Sequence, residues 1–138
     1  MFKKVKVYAM AAFLMVLSFM TMSCSKESMV EGSWQITSFV ANGSSLNSMA
    51  GKIWTFSGGG SCNLAFADGA MTGQWKVNDD ELTIYGTLNE YNVTYYQVNS
   101  NLRIDELKNE SMTLSGTMYM NDGQNSGSIY ISVIFTKI

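Results

Sequence analysis

The 138-residue chain contains no histidine. That removes serine and cysteine triads with an imidazole base, and zinc sites built on imidazole. Cysteine is almost as scarce, limited to Cys24 and Cys62. So few thiols cannot build a metal cluster or a disulfide framework, and stability must come from an apolar core. No basic residue flanks Cys62 to activate its thiol, and it reads as a small buried hydrophobe. Basic runs are missing after the first residues, and the net charge is −2. The chain therefore offers no electrostatic footprint for nucleic acid and no patch for anionic lipid. Long helical segments between strands are also missing, and parallel sheets need such crossovers.

What is present starts with Lys3, Lys4 and Lys6, followed by the uncharged, mostly apolar run Val7–Met22, then Ser23 and Cys24. This is the three-part layout of a secretory signal. The run falls short of the roughly 20 residues a spanning helix needs. A cysteine directly after the small residue makes residues 1–23 resemble a bacterial lipoprotein signal, although Thr21 stands where that family usually has Leu, Val or Ile. The resemblance implies cleavage before Cys24, acylation of Cys24, and attachment to the membrane through N-terminal acyl chains. Two or more such chains hold firmly. The alternative is an ordinary signal with an incidental Cys24, or an uncleaved anchor. Ser25-Lys26-Glu27 resembles the surface-export signal of Bacteroidetes lipoproteins. It implies an outer-membrane lipoprotein of the cell envelope, in the periplasmic or the surface-exposed leaflet.

Residues 24–30 read as a polar tether, and residues 31–138 as one domain. Within it, short runs alternate apolar and polar residues between turn clusters. Trp34, Ile36, Ser38 and Val40 share one face of the first strand, with Gln35, Thr37 and Phe39 on the other. Ser44–Gly51 predicts a helical turn capped by Ser44 or Ser45. Gly58-Gly59-Gly60, Asp68-Gly69, Asn78-Asp79-Asp80, Asn99-Ser100-Asn101, Lys108-Asn109 and the polar loop Asn121–Asn125 mark turns. The last strand sets Ile129, Ile131, Val133, Phe135 and Lys137 on one face. The pattern amounts to about nine short strands with turns about every 8–12 residues, the rhythm of an all-β sandwich or barrel. Short connections predict an antiparallel up-and-down meander, which avoids free edges by closing into a barrel of about 8–9 strands. A β-sandwich is the alternative.

Gly32-Ser33-Trp34 resembles the Gly-x-Trp signature of lipocalins, and Gly73-Gln74-Trp75 repeats it mid-chain. Together with the signal, this resembles the small lipocalin-like lipoproteins of the Bacteroidetes. The resemblance implies a lipocalin-like barrel whose closed end is covered by Trp34 under a basic residue of the last strand. Lys137 has the position and parity for that role. Gly32, Trp34 and Lys137 are thus the barrel-closure residues.

Nothing in the sequence has the spacing of a catalytic site. Asp79-Asp80-Glu81, Glu90 and Glu110 belong to turns, while Asp105 and Glu106 read as part of a strand at or near an edge. The triple glycine lacks the Lys and helix start of a phosphate loop. No cofactor or metal is expected, and the chain reads as non-catalytic. Inward aromatics and methionines, namely Trp54, Phe56, Phe66, Trp75, Met112 and Met118, are candidates to line an apolar pocket. Filling a small core is their competing role. Two functions follow. One is a lipid-anchored module for a small apolar ligand or glycan. The other is an envelope accessory protein or inhibitor with a filled barrel and a protein partner. Outward Tyr130 and Ile134 would suit a binding or dimer patch.

Overall fold

The computed structural model describes residues 25–90 and 95–138. The candidate signal and Cys24 lie outside the described residues, as do residues 91–94. The elements are a short helix α1 (Lys26–Val30), β1 (Gly32–Ala41), β2 (Ser44–Ser45), a 3-10 turn (Asn47–Met49), β3 (Ile53–Phe56), β4 (Ser61–Phe66), β5 (Gly69–Asn78), β6 (Glu81–Glu90), β7 (Tyr95–Leu107), β8 (Ser111–Asn121) and β9 (Ser126–Lys137).

Each strand from β3 to β9 pairs antiparallel with its neighbour in sequence. β1 pairs with β3 on one side and with β9 on the other, which closes an eight-stranded barrel. The two-residue β2 is an extra strand on the far end of β1, joined by a hairpin with positive φ at Asn42 and Gly43. The all-β meander is therefore closed, and the sandwich alternative is ruled out. β7 has a partner on each side along most of its length, but its pairing with β6 ends at Arg103; Asp105 and Glu106 lie beyond that point, at a bulge against β8 alone, and so stand near an edge as expected.

Alternation sends the predicted set inward: Trp75, Leu82, Ile84, Leu114, Ile131, Val133 and Phe135 are all buried. The first strand departs from simple alternation. The β1–β9 register shifts between Ile36 and Ser38, so Thr37 is the extra residue of a bulge. Thr37 Oγ1 donates to the Ile134 carbonyl at 3.0 Å. Beyond the bulge the inward parity changes, and Phe39, expected outside, is buried in the core.

Three further expectations change. Asn99-Ser100-Asn101, read as a turn, lies inside β7, where Ser100 is fully buried. The tether residues Lys26–Val30 form α1, and Val30 at its end is completely buried. Ser44 and Ser45 are in β2, and the short 3-10 turn that follows has no side-chain cap. Gly73, which repeats the Gly-x-Trp of Gly32, lies midway along β5, opposite Gly86 of β6.

Up-and-down topology gives the barrel two distinct ends. α1, the start of β1, the end of β9 and the turns at Gly58–Gly60, Asp79–Asp80 and Lys108–Glu110 gather at one. The β1–β2 hairpin, the 3-10 turn, the Asp68 turn and the Asp122 loop lie at the other. In that loop, Asp122 accepts backbone N–H bonds from Gln124 at 2.9 Å and Asn125 at 2.6 Å. Those donors hold its carboxyl below the usual carboxylate range.

Candidate functional site

The end bearing α1 is shut. Trp34 is fully buried there, and its Nε1 donates to the Val30 carbonyl at 2.8 Å. Trp34 is the register partner of Lys137, whose Nζ stands 5.1 Å from the indole centroid. A cation over a ring at this distance contributes about 0.5–2 kcal/mol. The same Nζ donates to the Met29 carbonyl at 3.5 Å, tying β9 to the helix. Gly32 has φ +132, a backbone conformation that L side chains rarely adopt, and its added Cβ would lie 2.9 Å from Lys137 Cε. Gly32, Trp34 and Lys137 thus meet at one spot. Lys26 pairs with Asp80, fastening α1 to the β5–β6 turn and lowering the Asp80 carboxyl pKa by hydrogen bond and charge.

Above this plug the barrel is filled by aromatic rings. Phe56 meets Trp75 edge-on at 5.4 Å, and Trp54 lies 5.3 Å from Phe135. The indole N–H groups of this layer are satisfied internally: Trp54 donates to Ala65 and Trp75 to Ser57, each at 3.0 Å. Cys62 is buried among these strands, and burial pushes its thiol up to about 11, so it stays protonated and inert at neutral pH.

Filling stops short of the second end. A cavity of about 400 Å³ opens there, lined by Phe39, Met49, Phe66, Leu88, Val98, Met118, Met120 and Ile129. Trp54 packs beneath the lining, 6.4 Å from Phe39 and 5.5 Å from Phe66 between ring centroids. Of the six pocket candidates, Phe66 and Met118 line this mouth. Trp54, Phe56, Trp75 and Met112 are packed in the filled part beneath it. The remaining wall residues carried no separate sequence signal, because inward parity does not reveal height along the barrel. Phe39 was hidden by the Thr37 bulge.

Two carboxylates, Asp68 and Glu90, belong to the mouth's lining, and no Lys or Arg does. Chemically this is a greasy cup with an acidic rim. Of the acids weighed earlier, the others lie elsewhere. Asp105 accepts from Ser115 Oγ at 2.5 Å and faces Arg103 at 3.5 Å, while Glu106 pairs with Lys108 at 2.7 Å. Among the described residues, no group of three acidic or thiol side chains is placed to hold a metal ion. Comparison of the chain with family models, with curated proteins and with solved structures finds no match.

Proposed function

We propose that this protein is a lipid-anchored, non-catalytic module of the cell envelope that holds a small, apolar, uncharged or cationic ligand in the barrel mouth. The observation that carries the reading is the mainly apolar cavity of about 400 Å³ whose wall includes Phe39 and Phe66. It lies within the roughly 300–1,000 Å³ of small-molecule sites. The acidic rim narrows the ligand class. A fatty-acid carboxylate held there would face Asp68 and Glu90 with no cation to pair with, and like charges repel.

Titration of the full-length protein with two fluorescent probes tests the reading. Neutral phenylnaphthylamine should bind saturably and anionic parinaric acid more weakly. Ile129→Trp, which fills the mouth, should abolish both. Asp68→Asn with Glu90→Gln should raise parinarate affinity selectively. Absence of saturable binding, or binding indifferent to Ile129→Trp, would favour the filled barrel with a protein partner.

The anchor belongs to the same proposal. Cys24 directly precedes Ser25, the residue before α1 at the shut end. Acyl chains on Cys24 would therefore hold the plugged end toward the bilayer and the mouth away from it. Cys24→Ala should lose acylation and move the protein from the membrane to the soluble fraction. Mass spectrometry finding an unmodified Cys24 in native membranes would sink the anchor.

A further inference from the structure

The outer surface of the barrel is not uniform. Among the described residues, the exposed tyrosines are Tyr85, Tyr119 and Tyr130, at 50%, 55% and 55% exposure. All three lie on the face formed by β6–β9. Tyr85 pairs with Asn99, and Asn99 with Tyr119, so the two tyrosines occupy one row, two strands apart. Two inter-strand spacings put them about 10 Å from each other, comparable to the length of a disaccharide. Tyr130 pairs with Thr117, two residues before Tyr119 on β8, which makes it Tyr119's diagonal neighbour.

This face carries shallow depressions open to solvent. A trough of about 900 Å³ runs over Tyr85, Gln97, Asn99 and Tyr119, and a second of about 480 Å³ continues from Tyr119 to Tyr130. Tyr119 is common to both. The lining between the phenols is amide and hydroxyl. Its charges are few: Lys76 stands at the β5 side, and Arg103 and Asp105 offset each other at 3.5 Å.

We infer that this trough binds a neutral oligosaccharide, at a site separate from the mouth. The chemistry on each side matches. Sugar rings present C–H faces that pack on tyrosine rings, and equatorial hydroxyls that exchange hydrogen bonds with Asn and Gln amides, which both donate and accept. An apolar ligand would strand those amides, and a polyanion would find one unpaired cation. The joined length suits several sugar units. The tyrosines are rigid, so ordering them on binding costs little entropy.

Affinity electrophoresis of the full-length protein in mild detergent tests this, through gels containing hydroxyethyl cellulose, laminarin, galactomannan or soluble starch, with polygalacturonate as the anionic control. Retardation is expected in at least one neutral gel and not in the control. Tyr119→Ala should weaken it about tenfold, and Tyr85→Ala similarly, as each removes one stacking contact. Both side chains are half exposed, so the variants should fold, which circular dichroism checks. Ile129→Trp should leave retardation unchanged, which separates this site from the mouth. No retardation in any neutral gel, or retardation untouched by both tyrosine variants, would overturn the inference. A dimer on size exclusion that dissociates in Tyr119→Ala would also overturn it, by assigning the face to a second copy.

Discussion

Trp34→Ala should destabilise the protein by about 3–5 kcal/mol, the usual loss when a buried aromatic is truncated to Ala. The indole is fully buried and does three jobs at the shut end. It fills space beneath α1, it donates to the Val30 carbonyl, and it carries the Lys137 ammonium on its face. Removal leaves a cavity, an unpaired backbone carbonyl and a cation without its ring. Urea denaturation of the full-length variant measures the loss. Trp34→Phe separates the contributions, since it keeps most of the apolar contact and loses the N–H donor, so it should fall between the two. Probe binding by the folded fraction should be unchanged, because Trp34 lies at the opposite end from the mouth. A loss below about 1 kcal/mol would mean that α1 and Lys137 do not depend on the indole.

The second large effect runs against strand propensity. Val is a better strand former than Gly, yet Gly73→Val should cost about 3 kcal/mol or more, beyond the common range for overpacking. Gly73 and Gly86 are register partners, and a Cβ on either would reach backbone of the other strand. Gly73 would meet the Tyr85 carbonyl oxygen at 2.1 Å, and Gly86 the Thr72 carbonyl oxygen at 2.2 Å. Backbone cannot swing aside as a side chain can, so β5 and β6 would have to separate. Gly86→Val should be about as damaging. The double variant should cost less than the sum, because both substitutions break one contact. Gly127→Val on β9 is the control. Its added Cβ meets nothing within 4 Å, and the change should be neutral or mildly stabilising. If Gly73→Val melts within a few degrees of the parent, the two strands are not in close approach there.

The contrast between those glycines marks how far the sequence could be read. Strand existence was legible because alternation repeats from β4 to β9, and closure because Trp34 and Lys137 open and end the meander on one parity. Gly73 repeats the Gly-x-Trp of Gly32, yet that string is the same whether a chain enters a strand or passes through one. Its real role depends on Gly86, a partner that only pairing reveals. Phe39 was misplaced because period two has no memory of an inserted residue, and the Thr37 bulge leaves no local mark. Lys26–Val30 was too short for a helical period to register, and it is helical because Val30 and Trp34 cover each other. The mouth was half legible. Phe66 and Met118 could be placed inside from parity, but their height above Trp54 is set by strand tilt and by packing from distant strands.

Apart from β1 passing over the two-residue β2 to pair with β3, sequential pairing has one exception, and that exception governs how the domain forms. Every ladder from β3 to β9 joins strands adjacent in sequence, so hairpins can zip up with little loss of chain entropy. The β1–β9 ladder joins opposite ends of the domain and can form only once the rest has curled. Until then the nascent sheet has two bare edges, and the chain is most prone to aggregate in that interval. The Trp34–Lys137 pair sits where this last seam begins, which makes it a latch on the slow step.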